Sequence, residues 1–284
     1  MTNYQSLISD IQSQLESAYP TDEAEALAWW VAEELTGLSR TELQIGCKIT
    51  KNFAHVQEII DRLLNFEPIQ YIFGHILWYG LDLKLTPATL IPRPETAELV
   101  DQISNIKYPM SNCHVLDVGT GSGCIAIAIK KRHPEWQVTG IDISAEAIKI
   151  AKENALRNNV KVDFKVADIF DFNDQIVPRQ SSNRPFFDIV VSNPPYICEK
   201  EKATMRPNVL NYEPATALFV PDSDPLLFYR RIATLFRPTQ LFFEINEAYP
   251  KELVAMLSDI GYTDIRIVND IYGKPRIIEA RLVG

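Results

Sequence analysis

Residues 113–129 read CHVLDVGTGSGCIAIAI, in which a short apolar run is followed by three closely spaced glycines and a second apolar run. The first run suits a buried strand, and the second has the composition of a buried helix. A strand, a glycine turn and a helix in this order begin a βαβ unit. The stretch therefore predicts an α/β fold whose glycine turn can approach a ligand.

From about residue 95 to the end of the sequence, apolar β-branched runs alternate with segments of helical periodicity. This alternation predicts a doubly wound, mostly parallel sheet of seven strands. The last two runs are joined only by NDIYGKP, which is too short for a parallel crossover, so the last strand is expected to be antiparallel. The predicted strands are 113–118, 136–141, 160–166, 186–192, 239–245, 262–268 and 276–283, and the predicted helices are 122–132, 144–158, 224–237 and 248–260.

The region before this α/β domain (95–284) has a different character. Residues 1–74 contain three apolar runs at helical spacing, which predict a small N-terminal helical bundle. Their 11 acidic and 4 basic residues give a net charge of −7, out of −9 for the whole chain. This charge suits either a solvated bundle surface or a substrate-docking domain for a basic partner, which we favour. Residues 75–94 alternate with period two and then carry three prolines, which predicts a β-hairpin or extended linker.

Composition argues against several functional classes. The chain has 28 Lys+Arg against 37 Asp+Glu, so it does not suit a general binder of polyanions. The N-terminus lacks the pattern of a signal peptide, and no apolar run approaches the roughly 18 residues of a membrane span. The cysteines stand apart, with no histidine at ligand spacing, so we expect no metal site and a reduced, cytoplasmic protein. These cysteines are Cys47, Cys113, Cys124 and Cys198.

The glycine turn carries the pattern D-x-G-x-G-x-G, formed by Asp117, Gly119, Gly121 and Gly123. The helix after the turn offers free N–H groups to a ligand. A dinucleotide fingerprint, G-x-G-x-x-G, would need its third glycine at Cys124. The spacing therefore favours a loop that binds S-adenosylmethionine, and the alternative is a tight turn without a ligand.

Two acids follow at the ends of the next predicted strands. Asp142 lies 19 residues beyond Gly123, where a carboxylate can accept both hydroxyls of a ribose. Asp168 ends the third strand, where an adenine would lie, and the apolar Ile169 beside it can cover the ring. For Asp168, a strand-end acid that only caps a turn is the alternative.

The fourth predicted strand runs directly into Asn193-Pro194-Pro195-Tyr196. The prolines restrict the residues before them to extended geometry, so Asn193 and Pro194 are held stiffly at the carboxyl edge of the sheet. Their side-chain and main-chain carbonyls can each accept an N–H of a planar amide or aromatic amine, and Tyr196 can stack against it. Such a turn predicts methyl transfer to an aligned, weakly nucleophilic nitrogen. An ordinary proline-rich turn is the alternative.

Several segments together resemble the HemK/PrmC family of protein-glutamine methyltransferases, which modify peptide chain release factors. The resemblance covers nearly the whole chain. It implies a class I S-adenosylmethionine-dependent methyltransferase domain at 95–284. Because the chain has no long apolar run and its N-terminal region is acidic, we also expect no membrane contact and no direct binding of nucleic acid. The segments are EPIQYIFGH with WYG, LIPRPETAELV, LDVGTGSGCIAIAI, GIDIS, FDIVVSNPPYI, EPATALF, PLLFYRRI and the region around YGKPR.

The resemblance also implies a reaction, which is methyl transfer to the side-chain amide nitrogen (N5) of the glutamine in the Gly-Gly-Gln loop of class 1 release factors. The connector Arg93-Pro94-Glu95-Thr96 is similar to that of release-factor enzymes and unlike that of the related ribosomal-protein glutamine methyltransferases. The implied catalytic residues are Asn193, Pro194 and Tyr196; the cofactor-binding residues are Gly119, Thr120, Gly121, Ser122, Gly123, Asp142, Asp168, Ile169 and Asn193; the substrate-binding residues are Asn193, Pro194, Pro195, Tyr196, Arg93 and Glu95.

Three alternatives remain at this stage. An Asn-Pro-Pro-Tyr methyltransferase can act on another protein glutamine or on a base amine of nucleic acid, although the acidic N-terminal region argues against the latter. A nucleotide-dependent oxidoreductase is disfavoured by Cys124 and by the Asn-Pro-Pro-Tyr turn. A non-catalytic binding module is disfavoured because every motif residue is present.

The chain departs from the family pattern at two positions. The family usually has an acid where Ala97 stands, and a glycine where Asn246 follows Glu244 and Ile245. We expect both departures to change the packing of loops and to leave the reaction itself unchanged.

Overall fold

The computed structural model describes residues 4–45, 55–106, 112–171 and 187–282. Contacts between residues divide the chain into two compact units, which are Met1–Gly74 with Arg206–Tyr212, and His75–Met205 with Glu213–Gly284. Cys47 and the surface loop that the sequence predicts around 181–185 lie outside the described residues.

The described residues form helices and strands in the following order along the chain. The helices are α1 (Tyr4–Leu15), α2 (Thr21–Thr36), α3 (Arg40–Gln44), α4 (Val56–Leu64), α5 (Ile69–Phe73), α6 (Thr96–Ser104), α7 (Cys124–Arg132), α8 (Ala145–Arg157), α9 (Pro207–Leu210), α10 (Ala215–Leu218), α11 (Leu227–Phe236) and α12 (Pro250–Ile260). The strands are β1 (His75–Trp78), β2 (Leu81–Lys84), β3 (His114–Val118), β4 (Gln137–Asp142), β5 (Asp163–Val166), β6 (Ile189–Ser192), β7 (Ile197–Cys198), β8 (Phe219–Val220), β9 (Gln240–Glu244), β10 (Thr263–Asn269) and β11 (Pro275–Arg281).

The first unit is a helical bundle. Helices α1, α2 and α4 bury against one another the apolar faces that their helical spacing predicts. Helix α2 ends at Gly37, whose left-handed conformation (φ 71°) lets its N–H reach the carbonyl of Glu33. The buried side chains include Leu7, Ile11 and Leu15 of α1, Ala24, Ala28 and Val31 of α2, and Ile60 and Leu63 of α4.

A short segment from much later in the chain also belongs to this first unit. Arg206 forms an ion pair with Glu23, with 3.1 Å between Nη1 and Oε1. The hydroxyl of Tyr212 donates to the carbonyl of Asn65 over 2.8 Å. The sequence pattern does not predict these contacts, because they join positions that are 183 and 147 residues apart.

The second unit is built on a seven-stranded sheet with the order β10-β11-β9-β6-β3-β4-β5. Strand β11 is antiparallel to both of its neighbours, and the pairs from β9 through β6, β3 and β4 to β5 are parallel. This confirms the predicted fold class. The chain runs from β3 outward to β5 and then returns to the other side of β3 as β6, so the topological switch point lies between β3 and β6.

Helices cover both faces of this sheet. Val115 and Leu116 are consecutive on β3 and belong to different core layers, because side chains alternate along a strand. Val115 packs in the layer that contains α6 and α7, and Leu116 packs in the layer that contains α11 and α12. Burial on both faces explains why this strand reads as a continuous apolar run in the sequence.

Strands β1 and β2 form an antiparallel hairpin whose inward side chains join the core of the second unit. The fully buried Asn154 of α8 holds this hairpin. Its Oδ1 accepts the main-chain N–H of Lys84 over 2.7 Å, and its Nδ2 donates to the carbonyl of Ser122 over 2.9 Å. One side chain therefore ties the hairpin to the glycine turn.

Two features of the second unit go beyond the sequence prediction. Helix α6 begins at Thr96, just after the proline-rich linker (75–94), in a stretch for which the sequence predicts no helix. Strands β7 and β8 pair in parallel directly after the Asn-Pro-Pro-Tyr turn. Two residues per strand are too few to produce a recognisable period.

Candidate active site

The two motif loops leave the sheet side by side. Val118 at the end of β3 is in register with Ser192 at the end of β6, and the Ser192 hydroxyl donates to the Val118 carbonyl over 2.6 Å. The glycine turn and the Asn-Pro-Pro-Tyr turn follow these two residues, at the switch point where α/β sheets bind ligands. Both turns line a cavity of about 360 Å³. This volume lies within the roughly 300–1,000 Å³ of small-molecule sites.

The cavity brings together most of the residues that the sequence singles out. Those that line it are Gly119, Gly121, Asp142, Asp168, Ile169, Asn193, Pro194 and Pro195. Six other residues that the sequence singles out are not among the described residues that line the cavity. They are Thr120, Ser122, Gly123, Tyr196, Arg93 and Glu95. Their roles in binding or catalysis stay predictions.

The three glycines of the turn serve two different purposes. All three have a left-handed conformation, with φ of 70° at Gly119, 54° at Gly121 and 82° at Gly123. A Cβ at Gly119 would stand in open space, and one at Gly121 would meet only a carbonyl oxygen at 4.0 Å. A Cβ at Gly123 would lie 3.1 Å from the side chains of both Ala151 and Phe164. The first two glycines therefore leave room in the cavity, and the third allows close packing of α7.

Asp117 supports the glycine turn from within the core. It is fully buried, and its Oδ2 accepts the Thr120 hydroxyl over 2.6 Å and the Ala126 N–H over 3.3 Å. Burial raises the pKa of Asp117 to about 7, although these two hydrogen bonds on their own lower the pKa. The Thr120 side chain thus points to Asp117, which explains why it does not line the cavity.

Asp142 connects the end of β4 to the glycine turn. Its Oδ2 accepts the Gly121 N–H over 2.8 Å, and its Oδ1 accepts the Ser144 N–H over 2.9 Å. Burial raises the pKa of this carboxyl, and main-chain hydrogen bonds from Ser144, Gly121 and Ile143 oppose the rise. Each carboxylate oxygen retains a lone pair for a ligand in the cavity.

The corner after β5 supplies an acid and apolar surface. Asp168 Oδ1 accepts the Phe170 N–H over 2.8 Å. This is the bond expected if Asp168 caps the turn after the strand. The Ile169 carbonyl accepts a hydrogen bond from Arg231 Nε over 2.6 Å. The ring of Phe170 packs edge-on against Phe228, with 5.4 Å between centroids. Because Asp168 also lines the cavity, the cap and a ligand contact are compatible at this residue.

The Asn-Pro-Pro-Tyr turn is held by hydrogen bonds to the start of α6 and to the end of β9 with the loop after it. Asn193 Nδ2 donates to the hydroxyl of Thr96 over 3.5 Å. The Tyr196 hydroxyl donates to Glu244 Oε1 over 3.2 Å, and the Tyr196 carbonyl accepts a hydrogen bond from Asn246 over 3.0 Å. The Tyr196 ring packs against the core layer of α11 and α12, so its predicted stacking on a substrate stays a prediction.

Arg93 and Glu95, which the resemblance implies as substrate-binding residues, lie on the connector before α6. Arg93 forms an ion pair with the buried Glu213, with 2.6 Å between Nη2 and Oε1. Glu213 also accepts the Ile91 N–H over 3.2 Å, and the Arg93 carbonyl accepts the indole N–H of Trp78 over 2.8 Å. Glu95 is half-exposed immediately before α6. The contacts of Arg93 fix the connector.

Other residues of the site are missed by the sequence analysis. The cavity walls also include Thr89 and Leu90 from the linker (75–94), Ile143 after β4, and Phe228 of α11. The segments LIPRPETAELV and PLLFYRRI contribute to the family resemblance, but the spacing of their residues does not by itself predict a binding or catalytic role. Glu244 gives a weak signal, as an acid at the carboxyl end of an apolar strand.

The described cysteines take no part in the site. Cys113, Cys124 and Cys198 are buried free thiols, and burial raises the pKa of Cys113 and Cys124 to about 12. In the described ranges there is no group of three or more His, Cys, Asp or Glu residues that can hold a metal ion. The helices of the same ranges are too short or too polar to cross a membrane.

Comparison with known proteins decides the family. A PrmC N-terminal domain model matches residues 6–74, and a methyltransferase domain model matches residues 109–259. A release factor glutamine methyltransferase from Bacteroides thetaiotaomicron is 42% identical over 278 residues, which cover 95% of this chain and 97% of that protein. The chain belongs to the release factor glutamine methyltransferase family. It is an S-adenosylmethionine-dependent methyltransferase, which confirms the predicted enzyme class and cofactor.

Other members of the release factor glutamine methyltransferase family are similar over most of the chain. The protein from Flavobacterium psychrophilum is 38% identical over 276 residues, which cover 93% of this chain and 94% of that protein. The protein from Streptococcus pneumoniae is 38% identical over 257 residues, with coverages of 89% and 84%. The resemblance that the sequence motifs indicate is therefore confirmed.

Solved structures share the fold at low sequence identity. The hMettl16 catalytic domain in complex with MAT2A 3′UTR hairpin 6 has a TM-score of 0.55 and 17% identity, and covers 72% of this chain and 77% of that chain. A human methyltransferase 10 domain containing protein has a TM-score of 0.52 and 14% identity, with coverages of 72% and 90%. At such identities the likeness shows the methyltransferase fold alone.

Proposed function

We propose that the chain transfers a methyl group from S-adenosylmethionine to the side-chain amide nitrogen of the glutamine in the Gly-Gly-Gln loop of class 1 release factors, which yields N5-methylglutamine. This proposal rests on one observation, which is that the glycine turn and the Asn-Pro-Pro-Tyr turn line the same cavity. The family to which the chain belongs supports the choice of a release factor as substrate.

The cavity fits S-adenosylmethionine on several grounds. Gly119 and Gly121 leave the cavity free of side chains beside the turn, so a ligand can approach the backbone closely. Asp142 offers carboxylate lone pairs for ribose hydroxyls, and Asp168 offers them for an exocyclic amine. Ile143, which is 60% exposed and lines the cavity, provides an apolar surface for a flat ring. Bound there, S-adenosylmethionine supplies an electrophilic methyl group on a sulfonium.

The Asn-Pro-Pro-Tyr turn has to orient a poor nucleophile. A glutamine amide delocalises its lone pair, so it attacks only when held in a suitable direction. In our proposal, Asn193 Oδ1 and the Pro194 carbonyl each accept one N–H of that amide. The backbone of Asn193 and the Pro194 carbonyl are held rigidly, because a proline follows each of these residues. Alignment of this kind contributes at most about 7–11 kcal/mol to lowering a barrier.

The reaction needs no strong general base in this arrangement. The new N–C bond forms as the S–C bond of the sulfonium breaks, and the methylated nitrogen then loses one proton. That nitrogen becomes strongly acidic as the bond forms, so a carbonyl that holds the N–H and access to water are sufficient. This is consistent with the neutral character of the Asn193 side chain at the site.

We further propose that residues 1–74 form the substrate-docking domain, that 75–94 form the linker, and that 95–284 form the catalytic domain. The net charge of −7 in residues 1–74 suits a partner with a basic surface. The same charge disfavours a direct contact with nucleic acid, whose phosphates require Lys and Arg. The release factor itself is therefore the proposed partner.

The proposed function is tested by offering competing substrates in one reaction. The chain is incubated with S-adenosylmethionine, a purified class 1 release factor, and naked RNA or DNA, and the products are resolved by peptide and nucleoside mass spectrometry. We expect one added methyl group on the glutamine of the Gly-Gly-Gln loop. A release factor with that glutamine replaced by alanine is the matched control and should stay unmodified. Methylated nucleic acid in place of methylated glutamine would overturn the proposal.

A further inference from the structure

Glu244 at the end of β9 is a buried acid outside the cavity. It is 1% exposed, yet its two carboxylate oxygens accept hydrogen bonds from two different motifs. Oε2 accepts the Thr96 hydroxyl over 2.7 Å, and Oε1 accepts the Tyr196 hydroxyl over 3.2 Å. Burial raises the pKa of this carboxyl, and the hydrogen bond from Thr96 and the charge of Arg276 oppose the rise. A buried carboxylate is costly, so its placement here calls for a function.

The bond between Thr96 and Glu244 determines what Thr96 can offer to Asn193. A threonine hydroxyl has a single hydrogen, and Thr96 directs it to Glu244. Only lone pairs therefore remain on the side of Asn193, which lies 3.5 Å away. A lone pair attracts the NH₂ group of an asparagine and repels its carbonyl oxygen.

The direction of these bonds selects one of the two orientations of the Asn193 amide. With Nδ2 directed to Thr96, the carbonyl Oδ1 is the group left for the cavity that Asn193 lines. The reversed orientation would present NH₂ to the N–H of an incoming amide, and two donors would face each other. The observed orientation thus offers the reacting nitrogen an acceptor, whereas the reversed orientation would offer it a donor.

We propose that Glu244 and Thr96 are positioning residues, which hold the Asn193 amide in the orientation that presents an acceptor to the substrate nitrogen. The inference rests on the proposed function of Asn193 as an acceptor. Thr96 and Glu244 are not among the described residues that line the cavity. They are therefore proposed to act without touching the reacting atoms. Glu244 acts on Asn193 only through Thr96, and it fixes the hydroxyl of Tyr196 at the same time.

The kinetic test compares three substitutions in the full chain. Thr96→Val has nearly the same shape but offers no lone pair, whereas Thr96→Ser keeps the hydroxyl and serves as the matched control. We expect kcat of Thr96→Val to fall about 10²-fold, since misplacement of a positioning contact has effects of this size. Its donor affinity, measured by calorimetry, should stay unchanged, and Thr96→Ser should keep most of the turnover. Glu244→Gln should lower kcat in the same direction, because an NH₂ group then replaces one of the two carboxylate oxygens that accept the hydroxyls.

A double substitution tests whether Glu244 acts through Thr96. If it does, Glu244→Gln should lower kcat by a smaller factor in Thr96→Val than in the wild type, because only its effect through Tyr196 remains. Multiplication of the two losses would contradict the relay, and so would equal losses in Thr96→Val and Thr96→Ser. Thermal melting of each variant identifies losses that come from unfolding, and Thr96→Ala replaces Thr96→Val if the latter does not fold.

A spectroscopic measurement separates this inference from the proposed function. In the donor-free protein with ¹⁵N-labelled asparagine, the Asn193 side-chain signals are assigned by their loss in Asn193→Ala. We expect Thr96→Val to shift these signals and Thr96→Ser to leave them in place. This readout needs no release factor, so failure of the wild type to methylate a release factor would refute the proposed function alone. Unshifted signals in Thr96→Val would refute the positioning of Asn193.

Discussion

The side-chain amide of Asn246 donates a hydrogen bond to the main-chain carbonyl of Tyr196 over 3.0 Å, and so joins the loop after β9 to the Asn-Pro-Pro-Tyr turn. The Oδ1 of the same side chain accepts the Ala248 N–H over 2.9 Å. The family pattern usually has glycine at this position, and a glycine can make neither bond. The departure from the pattern thus supplies an additional support for the turn.

The first prediction concerns this support. Asn246→Gly should lower the free energy of unfolding by about 1–2 kcal/mol, since it removes these two bonds and a longer one to Glu201 (3.4 Å) and adds backbone freedom. Urea unfolding measures the change. Ala248→Gly adds similar backbone freedom at an exposed neighbour and is the control, with an expected loss below about 1 kcal/mol. Equal losses in the two variants would show that the bond to Tyr196 contributes nothing.

The second prediction compares two glycines of the turn. Gly119→Ala and Gly123→Ala share the strain of a left-handed conformation, roughly 1–2 kcal/mol each. Only Gly123→Ala also pushes a Cβ to within 3.1 Å of Ala151, Ile127 and Phe164. Gly123→Ala should therefore lose roughly a further 1–3 kcal/mol of stability. Gly119→Ala should instead weaken donor binding about tenfold, because its Cβ enters the cavity.

Thermal unfolding and calorimetric titration with S-adenosylmethionine measure the two effects of these glycine substitutions. We expect Gly123→Ala to be the less stable of the two variants. We expect Gly119→Ala to bind S-adenosylmethionine more weakly than its own loss of stability explains. A larger loss of stability in Gly119→Ala than in Gly123→Ala would contradict the first expectation.

The third prediction is a pH dependence that comes from Asp117. Burial raises its pKa from 3.8 to about 7, so between these values the folded state binds more protons than the unfolded state. Stability then falls as pH rises through this window, by at most about 1.4 kcal/mol per pH unit from this group. Asp117→Asn keeps an acceptor for Thr120 and Ala126 and cannot ionise. We expect the stability of the variant relative to the wild type to rise with pH across the window and then level off.

Urea unfolding of both donor-free proteins from about pH 5 to about pH 8 measures this difference. Taking the difference between the two proteins removes the contribution of a buried acid such as Glu244, which both proteins share and which Asp117 does not perturb. A constant difference across the range would show that Asp117 is ionised to the same extent in the folded and unfolded states.

The fourth prediction tests the role of Arg93. Arg93→Ala leaves the carboxylate of Glu213 buried without its cation and should cost roughly 3 kcal/mol of stability, the low end for a broken buried pair because Arg93 is one-third exposed. Arg93→Ala combined with Glu213→Gln should recover part of this loss. Urea unfolding of the two single variants and the double variant measures the coupling. Full stability of Arg93→Ala, with a raised KM for the release factor, would assign Arg93 to substrate binding instead.

The convergence of the two main motifs can be predicted from the sequence. Gly119, Asp142 and Asn193 each directly follow an apolar run that is typical of a strand, and the carboxyl ends of parallel strands meet at one edge of the sheet. That geometric rule is sufficient to place the glycine turn beside the Asn-Pro-Pro-Tyr turn without any knowledge of side-chain packing.

The contacts that support these motifs cannot be predicted in the same way. Thr96 and Glu244 are 148 positions apart and meet because α6 packs near the end of β9, which no local period encodes. Thr120 lies inside the glycine motif, but its hydroxyl points to Asp117, since a side chain in a tight turn can face either the core or the cavity. Both outcomes depend on tertiary packing and not on spacing.

The fifth prediction concerns Asn193 itself. Asn193→Ala removes the proposed side-chain acceptor and should lower kcat by about 10²–10³-fold, the range seen when one preorganised group is removed from a polar site. Donor binding should remain partly intact, because Gly119, Gly121 and Asp142 are unchanged. Stopped-time assays with radiolabelled donor measure turnover, and calorimetry measures donor affinity.

The most direct test of the central claim is site-resolved mass spectrometry of one release factor after incubation with S-adenosylmethionine and either the wild type or Asn193→Ala. The account predicts a methyl group on the amide nitrogen of the Gly-Gly-Gln glutamine with the wild type, and almost none with the variant that still binds the donor. A methyl group on another residue, or equal methylation by both proteins, would contradict it.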